Sequence, residues 1–218
     1  MSETPQQLPR TLWIGILLLL VVLCLAYALS LMELHRVHPR ALPVLGPVAG
    51  FTLMSQDGRA TTLADLSNHV WIADIIFTRC AGPGPIMSQQ MKSLQDALPQ
   101  TSRARLVTLT TDPDFDTPPV MKTYGERFGA DFNRWMFLTG AKAEIAGLAG
   151  DSLKLSAAPV KPEDRKNDAD LSIHSTIFVV VDQHARLRGI FETQGDSVNW
   201  TNIQPRIIAT VRQLEYEK

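Results

Sequence analysis

The chain has 218 residues and a formal net charge of −1, with 45% hydrophobic and 20% charged residues. This composition fits one globular domain with an appendage and excludes a disordered chain. The balance of 21 basic against 22 acidic residues argues against nucleic-acid binding. The presence of only two cysteines excludes a disulfide-rich scaffold and a zinc cluster held by four thiolates.

The first predicted element is an apolar helix. Residues 11–32 form an uncharged run that contains the segment LLLLVVL. As an α-helix this run reaches about 33 Å, enough to cross a hydrocarbon core of about 30 Å. We therefore predict a membrane anchor over residues 11–32, preceded by a short tail of residues 1–10. A signal peptide cleaved at Ala26-Tyr27-Ala28 is the alternative, although the apolar run continues beyond that site.

The soluble part begins with a linker and two strong strand signals. Residues 33–50 are rich in proline and glycine and have no apolar period, which predicts a linker. Asp57-Gly58 then predicts the turn of a β-hairpin. Residues 70–77 form an almost continuous apolar run, typical of a strand buried on both faces of a sheet. Pro85 opens the helical pattern that follows.

The same alternation continues to the C-terminus. Strands are predicted over residues 105–111, 135–139, 175–182 and 187–191, and helices over 86–98, 118–128, 141–149 and 201–216. Thr117 is the expected N-cap of one helix, and Asp112 and Asp116 are expected to be turn and N-cap residues. Polar residues 151–172 are expected to form an inserted loop or hairpin. This order predicts an α/β domain over residues 51–218, with a central mixed sheet and helices on both faces.

The junction between the strand at 70–77 and the next helix is the best candidate for a functional site. It reads FTRCAGPGPIM from residue 77 to residue 87. A cysteine here follows a central strand and precedes a helix N-terminus, where the helix dipole stabilises a thiolate. Loops at the carboxyl ends of strands also commonly hold the sites of α/β sheets. A buried, inert Cys80 is the alternative interpretation.

Four spaced motifs resemble those of the Sco/SenC family, membrane-anchored proteins of thioredoxin-like fold that handle copper during cytochrome c oxidase assembly. They are VWIADIIFTRCAGPGPIM at 70–87, DPDFDTP at 112–118, RWMFLTG at 134–140 and HST at 174–176. The resemblance implies a thioredoxin-like fold with an N-terminal β-hairpin extension. It also implies copper as ligand, a cytochrome c oxidase subunit or other cuproprotein as partner, and a domain on the periplasmic side of the cytoplasmic membrane.

Carried over by position, the resemblance implies that Cys80 and His174 bind the metal. The family's second cysteine corresponds to Gly84, which offers no donor atom. The expected site therefore retains one thiolate and one imidazole, which suit Cu(I) but bind it more weakly than three ligands. Met87 is a possible third donor, but its place in an amphipathic helix favours the core. A dithiol cycle in this loop is excluded, because the only other thiol is Cys24 in the apolar run.

The expected function is therefore a membrane-anchored, Sco/SenC-like protein of copper handling and cytochrome c oxidase assembly, with a degenerate metal site, rather than an enzyme. A single-cysteine peroxidase is one alternative. Peroxiredoxins, however, place a threonine or serine three residues before the reactive cysteine, and this chain has Phe77 there. An interaction module that binds no metal is the other alternative, in which His174 is a hydrogen-bonded structural residue.

Overall fold

The structure, a computed structural model, describes residues 10–35, 41–155, 157–159, 172–174 and 176–217, with the backbone alone at 10, 31–35, 157–159 and 172–174. The chain divides into two compact units between Ala41 and Leu42. The predicted tail up to residue 9, residues 36–40 of the predicted linker and the charged stretch 161–170 lie outside the described residues.

The described part of the first unit contains one helix, α1, which runs from Arg10 to His35. Its segment Thr11–Ser30 is long and apolar enough to cross a membrane. The side chains of this segment are exposed. An apolar helix without a polar face is typical of a membrane span, and a signal sequence has the same properties.

The second unit is built on a mixed sheet. In chain order the strands are β1 (Gly46–Pro47), β2 (Thr52–Ser55), β3 (Ala60–Thr62), β4 (Trp71–Ile76), β5 (Arg105–Thr110), β6 (Trp135–Thr139), β7 (Ala157–Pro159), β8 (Ser172–His174), β9 (Ile177–Val181) and β10 (Arg186–Glu192). The main sheet has the order β1-β10-β9-β4-β5-β6-β2-β3, and β7 and β8 form a separate hairpin. Strands β4, β5 and β6 are parallel, whereas β9 is antiparallel to β4. The predicted hairpin, β2 and β3, extends this sheet at its β6 edge.

Helices cover both faces of the sheet, as predicted. They are α2 (Pro83–Ala97), α3 (Pro118–Arg127), α4 (Lys142–Ala146) and α5 (Trp200–Tyr216). Alternate residues of β4 enter two different cores, because successive side chains of a strand point to opposite faces. Ile72 and Ile76 pack with α2, α3 and α5 on one face. Ala73 and Ile75 pack on the other face with α4 and the π-helical turn that continues it, Gly147–Ser152.

The folded unit begins earlier than the sequence pattern predicts. Residues 42–50 belong to it, since Gly46 pairs with Leu187 of β10 and Val48 is buried. Proline and glycine interrupt any apolar period, so this stretch has the composition of a linker. A two-residue strand at the sheet edge nevertheless tolerates Pro47, because an edge strand leaves some backbone N–H groups without a ladder partner.

A buried arginine fixes the point where the chain enters this unit. Arg188 is 3% exposed, and its guanidinium donates to the carbonyl oxygens of Leu42 at 2.7 Å and Pro43 at 3.1 Å. It also donates to the carboxylates of Asp182 at 2.7 Å and Glu217 at 2.8 Å. Because Asp182 directly follows β9, and β9 is antiparallel to β4, this network lies at the end of the sheet where β4 begins.

Candidate functional site

Cys80 lies in the loop between β4 and α2 and is partly exposed. Helix α2 begins at Pro83, two residues before the predicted start at Pro85, so that Gly84 belongs to its first turn. The two prolines carry no N–H group. Gly84 supplies the N–H of this turn and donates it to the sulfur of Cys80 at 3.4 Å. The sulfur therefore lies at a helix N-terminus, where negative charge is favoured.

Gly84 allows the cysteine to approach the helix closely. A Cβ atom at residue 84 would lie 2.9 Å from the Cβ and 3.3 Å from the sulfur of Cys80. The first distance is shorter than two non-bonded carbon atoms tolerate. Any side chain at this position therefore requires the backbone around Cys80 to move. Gly84 therefore lacks a metal-binding atom and also leaves room for the close approach of Cys80 to α2.

A buried carboxylate holds the cysteine loop against the neighbouring strand. Asp116 is 0% exposed and accepts hydrogen bonds from the backbone N–H of Thr78 at 3.0 Å and from the hydroxyl of Thr78. It also accepts the hydroxyl of Thr110, at the end of β5, at 2.5 Å. Burial raises the pKa of Asp116, although the hydrogen bonds from Thr110 and Thr78 oppose this shift. Asp116 thus fixes the residue two positions before Cys80.

These contacts correct the predicted roles of the DPDFDTP motif. The turn forms, but the carboxylates of Asp112 and Asp116 reach across to the cysteine loop instead of capping α3. Asp112 pairs with Arg79 at 2.5 Å, and the guanidinium of Arg79 lies 4.1 Å from the ring centre of Phe115. Thr117 has the predicted N-cap position of α3, but its side chain makes no capping hydrogen bond. The topology carries a usable signal for these contacts, because β4 and β5 are parallel neighbours and their ends lie at the same edge of the sheet.

A second buried carboxyl, which the sequence pattern does not single out, lies in β4 itself. Asp74 is 0% exposed, and its Oδ1 accepts the hydroxyl of Thr108 at 2.7 Å. That hydroxyl accepts the indole N–H of Trp135 at 2.9 Å. Among the described residues, Oδ2 of Asp74 has no hydrogen-bond partner. Burial raises the pKa of Asp74 to about 7, with Thr108 acting in the opposite direction.

Tyr124 of α3 lies near enough to both Asp74 and Cys80 to feel the charge of each. Its hydroxyl lies 2.9 Å from the hydroxyl of Ser88 on α2. Burial raises the pKa of Tyr124, and the nearby charges of Asp74 and Cys80 raise it further. A group of hydroxyl and carboxyl side chains therefore lies inside the core below the cysteine loop.

The described residues offer few donors for a metal ion beside Cys80. No group of three histidine, cysteine or acidic side chains clusters in the described part of the chain. Met87 is fully buried in the core beneath α2, as its helical position predicts. Cys24 lies in α1, in the other unit. The backbone of His174 belongs to β8 and pairs with Ala157, while its imidazole lies outside the described residues.

Together these observations define a class of protein: a thioredoxin-like α/β domain with one thiol at the end of a central strand, preceded by an apolar helix. The model of the SCO1/SenC family matches residues 46–208, most of the folded unit. The chain belongs to the SCO1/SenC family.

Relatives and solved structures agree with this assignment. The SCO1 protein homolog of Bacillus subtilis is 35% identical over 141 residues, covering 64% of this chain and 70% of the relative. A putative copper-binding protein of Stutzerimonas stutzeri is 27% identical over 179 residues, covering 79% of this chain and 84% of the relative. The structure of BsSco, a member of the Sco family of cytochrome c oxidase assembly proteins with a disulfide switch, is 29% identical with a TM-score of 0.67. That match covers 82% of this chain and all of the solved one.

Proposed function

We propose that this protein is a membrane-anchored Sco protein that carries copper on Cys80 and His174 during cytochrome c oxidase assembly, with its folded unit on the periplasmic side. Copper is its cargo, and the partner that receives the ion is an oxidase subunit or another cuproprotein. The protein is not an enzyme in this proposal. Its family membership and the relative named as a putative copper-binding protein support the ligand, and helix α1 supports the anchor.

The observation that carries the choice of ligands is the register between β4 and β9. Ile72 pairs with Val180 and Ala73 with Val179 in antiparallel orientation. Because of this orientation, the end of β4 at Ile76 and the start of β9 at Ile177 lie at the same end of the sheet. His174 itself belongs to β8, which pairs with β7 outside this sheet. The segment that ends β4 and the segment that precedes β9 thus share one edge of the sheet, which supports Cys80 and His174 as a pair.

The chemistry of this pair suits a soft, exchangeable metal ion. Thiolate and imidazole both bind Cu(I), whereas carboxylates prefer harder ions. Asp112 and Asp116 are also engaged by Arg79 and by threonine hydroxyls. A two-ligand site holds Cu(I) more weakly than a site with two thiolates and an imidazole. Weak binding is compatible with a carrier that passes the ion on.

A Cu(I) titration of the full chain in detergent micelles, against a chromophoric competitor, tests this proposal. We expect one Cu(I) per chain, lost on Cys80→Ala and weakened at least tenfold on His174→Ala. Cys24→Ala is the matched control, since it removes the other thiol and should leave the affinity unchanged. Binding no stronger than that of Cys80→Ala would instead favour an interaction module without metal.

Gly84→Cys tests whether the loop can recover the second thiolate. A third ligand should raise the Cu(I) affinity by orders of magnitude, but a Cβ atom at residue 84 would lie 2.9 Å from the Cβ of Cys80. The gain therefore requires the loop to move. Gly84→Ala is the control, because it adds the Cβ without a donor. An unchanged affinity in Gly84→Cys would mean that the packing around residue 84 excludes the three-ligand geometry.

A further inference from the structure

A surface groove lies between α3 and the loop of Cys80. It has a volume of about 390 Å³ and is lined by Thr78, Pro119, Val120, Thr123, Tyr124 and Arg127. Five of these residues belong to α3 and recur at the three- and four-residue spacing of one helix face. Because Thr78 precedes Cys80 by two residues, the groove runs from the cysteine loop along α3.

The lining of this groove combines apolar surface with a charged group. Pro119, Val120 and Tyr124 help to make it mostly apolar. The guanidinium of Arg127 is exposed, and it forms no ion pair with any carboxylate in the described part of the chain. Burial raises the pKa of Tyr124, whereas the charge of Arg127 acts in the opposite direction, so this charge reaches the tyrosine hydroxyl. The groove thus suits an apolar group next to a negative charge, a combination typical of binding sites.

Exposed apolar side chains also flank the loop of Cys80 outside the groove. Ile86 is 48% exposed and follows by two residues the Gly84 that contacts the cysteine sulfur. Phe115 is 43% exposed, and the guanidinium of Arg79 lies 4.1 Å from the centre of its ring. Apolar surface that groups around one loop commonly marks a protein-interaction site. Since this surface extends beyond the groove, it favours a partner protein over a small molecule.

We propose that this groove is the docking site for a segment of a partner protein, in which an apolar side chain packs against α3 and an acidic side chain pairs with Arg127. The acidic character of the segment follows from charge complementarity with the guanidinium of the lining. The inference rests on the proposed function for the identity of the partner, which is then the cuproprotein that receives copper from Cys80.

The test uses the full chain in detergent micelles with Cys24→Ala, so that Cys80 is the only thiol. The probe is the symmetrical disulfide of the synthetic peptide acetyl-Cys-Gly-Leu-Gly-Gly-Asp-amide, whose cysteine reports its approach to Cys80. The Cys80 thiolate attacks one sulfur of the probe, a new S–S bond forms, and one peptide leaves as its thiolate. Leu and Asp are three residues apart in the peptide, because Val120 and Arg127 are separated by about 10 Å along α3, which three extended residues match.

The rate of mixed-disulfide formation, followed by mass spectrometry, should depend on both side chains of the probe. It should be about tenfold higher than for a peptide with Gly in place of Leu, and about two- to fivefold higher than for one with Asn in place of Asp. Arg127→Gln should abolish the preference for Asp, and Val120→Ser should reduce the preference for Leu. Lys122→Gln is the matched control, because it removes a 45% exposed cation of the same helix that does not line the groove. Both preferences should survive in this control.

Equal rates for the three peptides, or equal effects of Arg127→Gln and Lys122→Gln, would overturn this inference. So would equally strong protection of Cys80 by isocaproate, which has the apolar body and the carboxylate without a peptide, since the groove would then be a small-molecule site. No copper is present in these measurements. A chain that discriminates between the peptides but binds no Cu(I) would therefore contradict the proposed function alone, and a chain that binds Cu(I) without discriminating would contradict the docking site alone.

Discussion

Two buried aspartates on the β4 and β9 segments differ sharply in their partners. Asp182, at the end where the chain enters the domain, is 2% exposed and accepts hydrogen bonds from Arg188 at 2.7 Å and Arg186 at 2.8 Å. Asp74, in the strand that leads to Cys80, is 0% exposed and accepts one from Thr108. The first lies in a complete ion network, whereas the second has an oxygen without a partner among the described residues.

The pKa values of the two carboxyls move in opposite directions for this reason. Burial acts to raise the pKa of Asp182, but the hydrogen bonds from Arg188 and Arg186 outweigh it and lower the pKa below its ordinary value. Burial raises the pKa of Asp74 to about 7, because a single hydroxyl opposes it. The domain thus concentrates its ionic stabilisation where the chain enters and leaves a costly buried group beneath the site. Functional sites commonly retain such costs.

The largest loss of stability is expected from breaking the ion network around Arg188, where the chain enters the domain. Arg188→Met leaves the buried Asp182 without its main cation and releases the carbonyl oxygens of Leu42 and Pro43. Removing one partner of a buried pair costs about 3–5 kcal/mol. Urea unfolding of the full chain in micelles, followed by tryptophan fluorescence, measures the loss. Arg186→Met is the control, because this partner of Asp182 is 40% exposed and should cost about 1 kcal/mol or less. Equal losses would contradict the central role of Arg188.

The next effect is a gain of stability from Asp74→Asn. A carboxyl whose pKa is raised on folding destabilises the folded state progressively as the pH rises from its unfolded value of 3.8 to its folded value of about 7. At pH 8 the neutral amide should therefore stabilise the protein by about 4 kcal/mol, and at pH 4 the difference should fall below about 1 kcal/mol. Unfolding free energies measured from pH 4 to pH 8 test this sign. An unchanged pH slope in the variant would show that Asp74 is not the group responsible.

The fold could be predicted from the sequence to a large extent, because the strands and helices have strong periodic signals. The run at 70–77 contains one acid among apolar residues, and this pattern predicts a doubly buried strand, which β4 is. The same pattern gives no role to Asp74, since periodicity counts apolar residues and carries no information about one polar atom. Residues 42–50 have the pattern of a linker for a related reason: β1 is two residues long, too short to show any period.

The candidate site could be predicted only in part. Cys80 follows from its place between a strand and a helix, which is a local signal. His174 follows from the resemblance alone, because a single histidine before a strand has no distinguishing spacing. The contact of Asp116 with Thr78 joins residues 38 positions apart. Its local sequence, DTP, has an equally good interpretation as a helix cap, so the correct partner required the sheet topology.

A smaller loss of stability is expected when the loop of Cys80, between β4 and α2, is held less firmly. Thr78→Val removes the hydroxyl that donates to the buried Asp116 but retains the backbone N–H, and it should cost about 1 kcal/mol. Because the loop is then held less firmly, Cys80 should react faster with iodoacetamide. Thr110→Val is the control: it removes the other hydroxyl from the same carboxylate, at β5, together with the acceptor of the Asp112 N–H. It should cost at least as much stability without changing the reactivity of Cys80. Equal acceleration in both variants would mean that Asp116 as a whole, and not Thr78, restrains the loop.

The smallest loss of stability is expected at the end of the sheet near Cys80. Each end of the sheet contains an arginine–aspartate pair, so the two pairs can be compared directly. Arg79 and Asp112, in the loop and turn beside Cys80, have side chains that are 43% and 18% exposed, whereas Arg188 and Asp182 are both 2% exposed. An exposed pair contributes about 0.2–1 kcal/mol and is screened by salt. Arg79→Gln should therefore cost less than 1 kcal/mol at low salt, and nothing measurable at about 1 M NaCl apart from its contact with Phe115. The cost of Arg188→Met should change little over the same range, because a buried pair is screened much less. If the cost of Arg188→Met also fell at high salt, water would reach the ion network of Arg188 and Asp182. The two ends of the sheet would then differ only in degree.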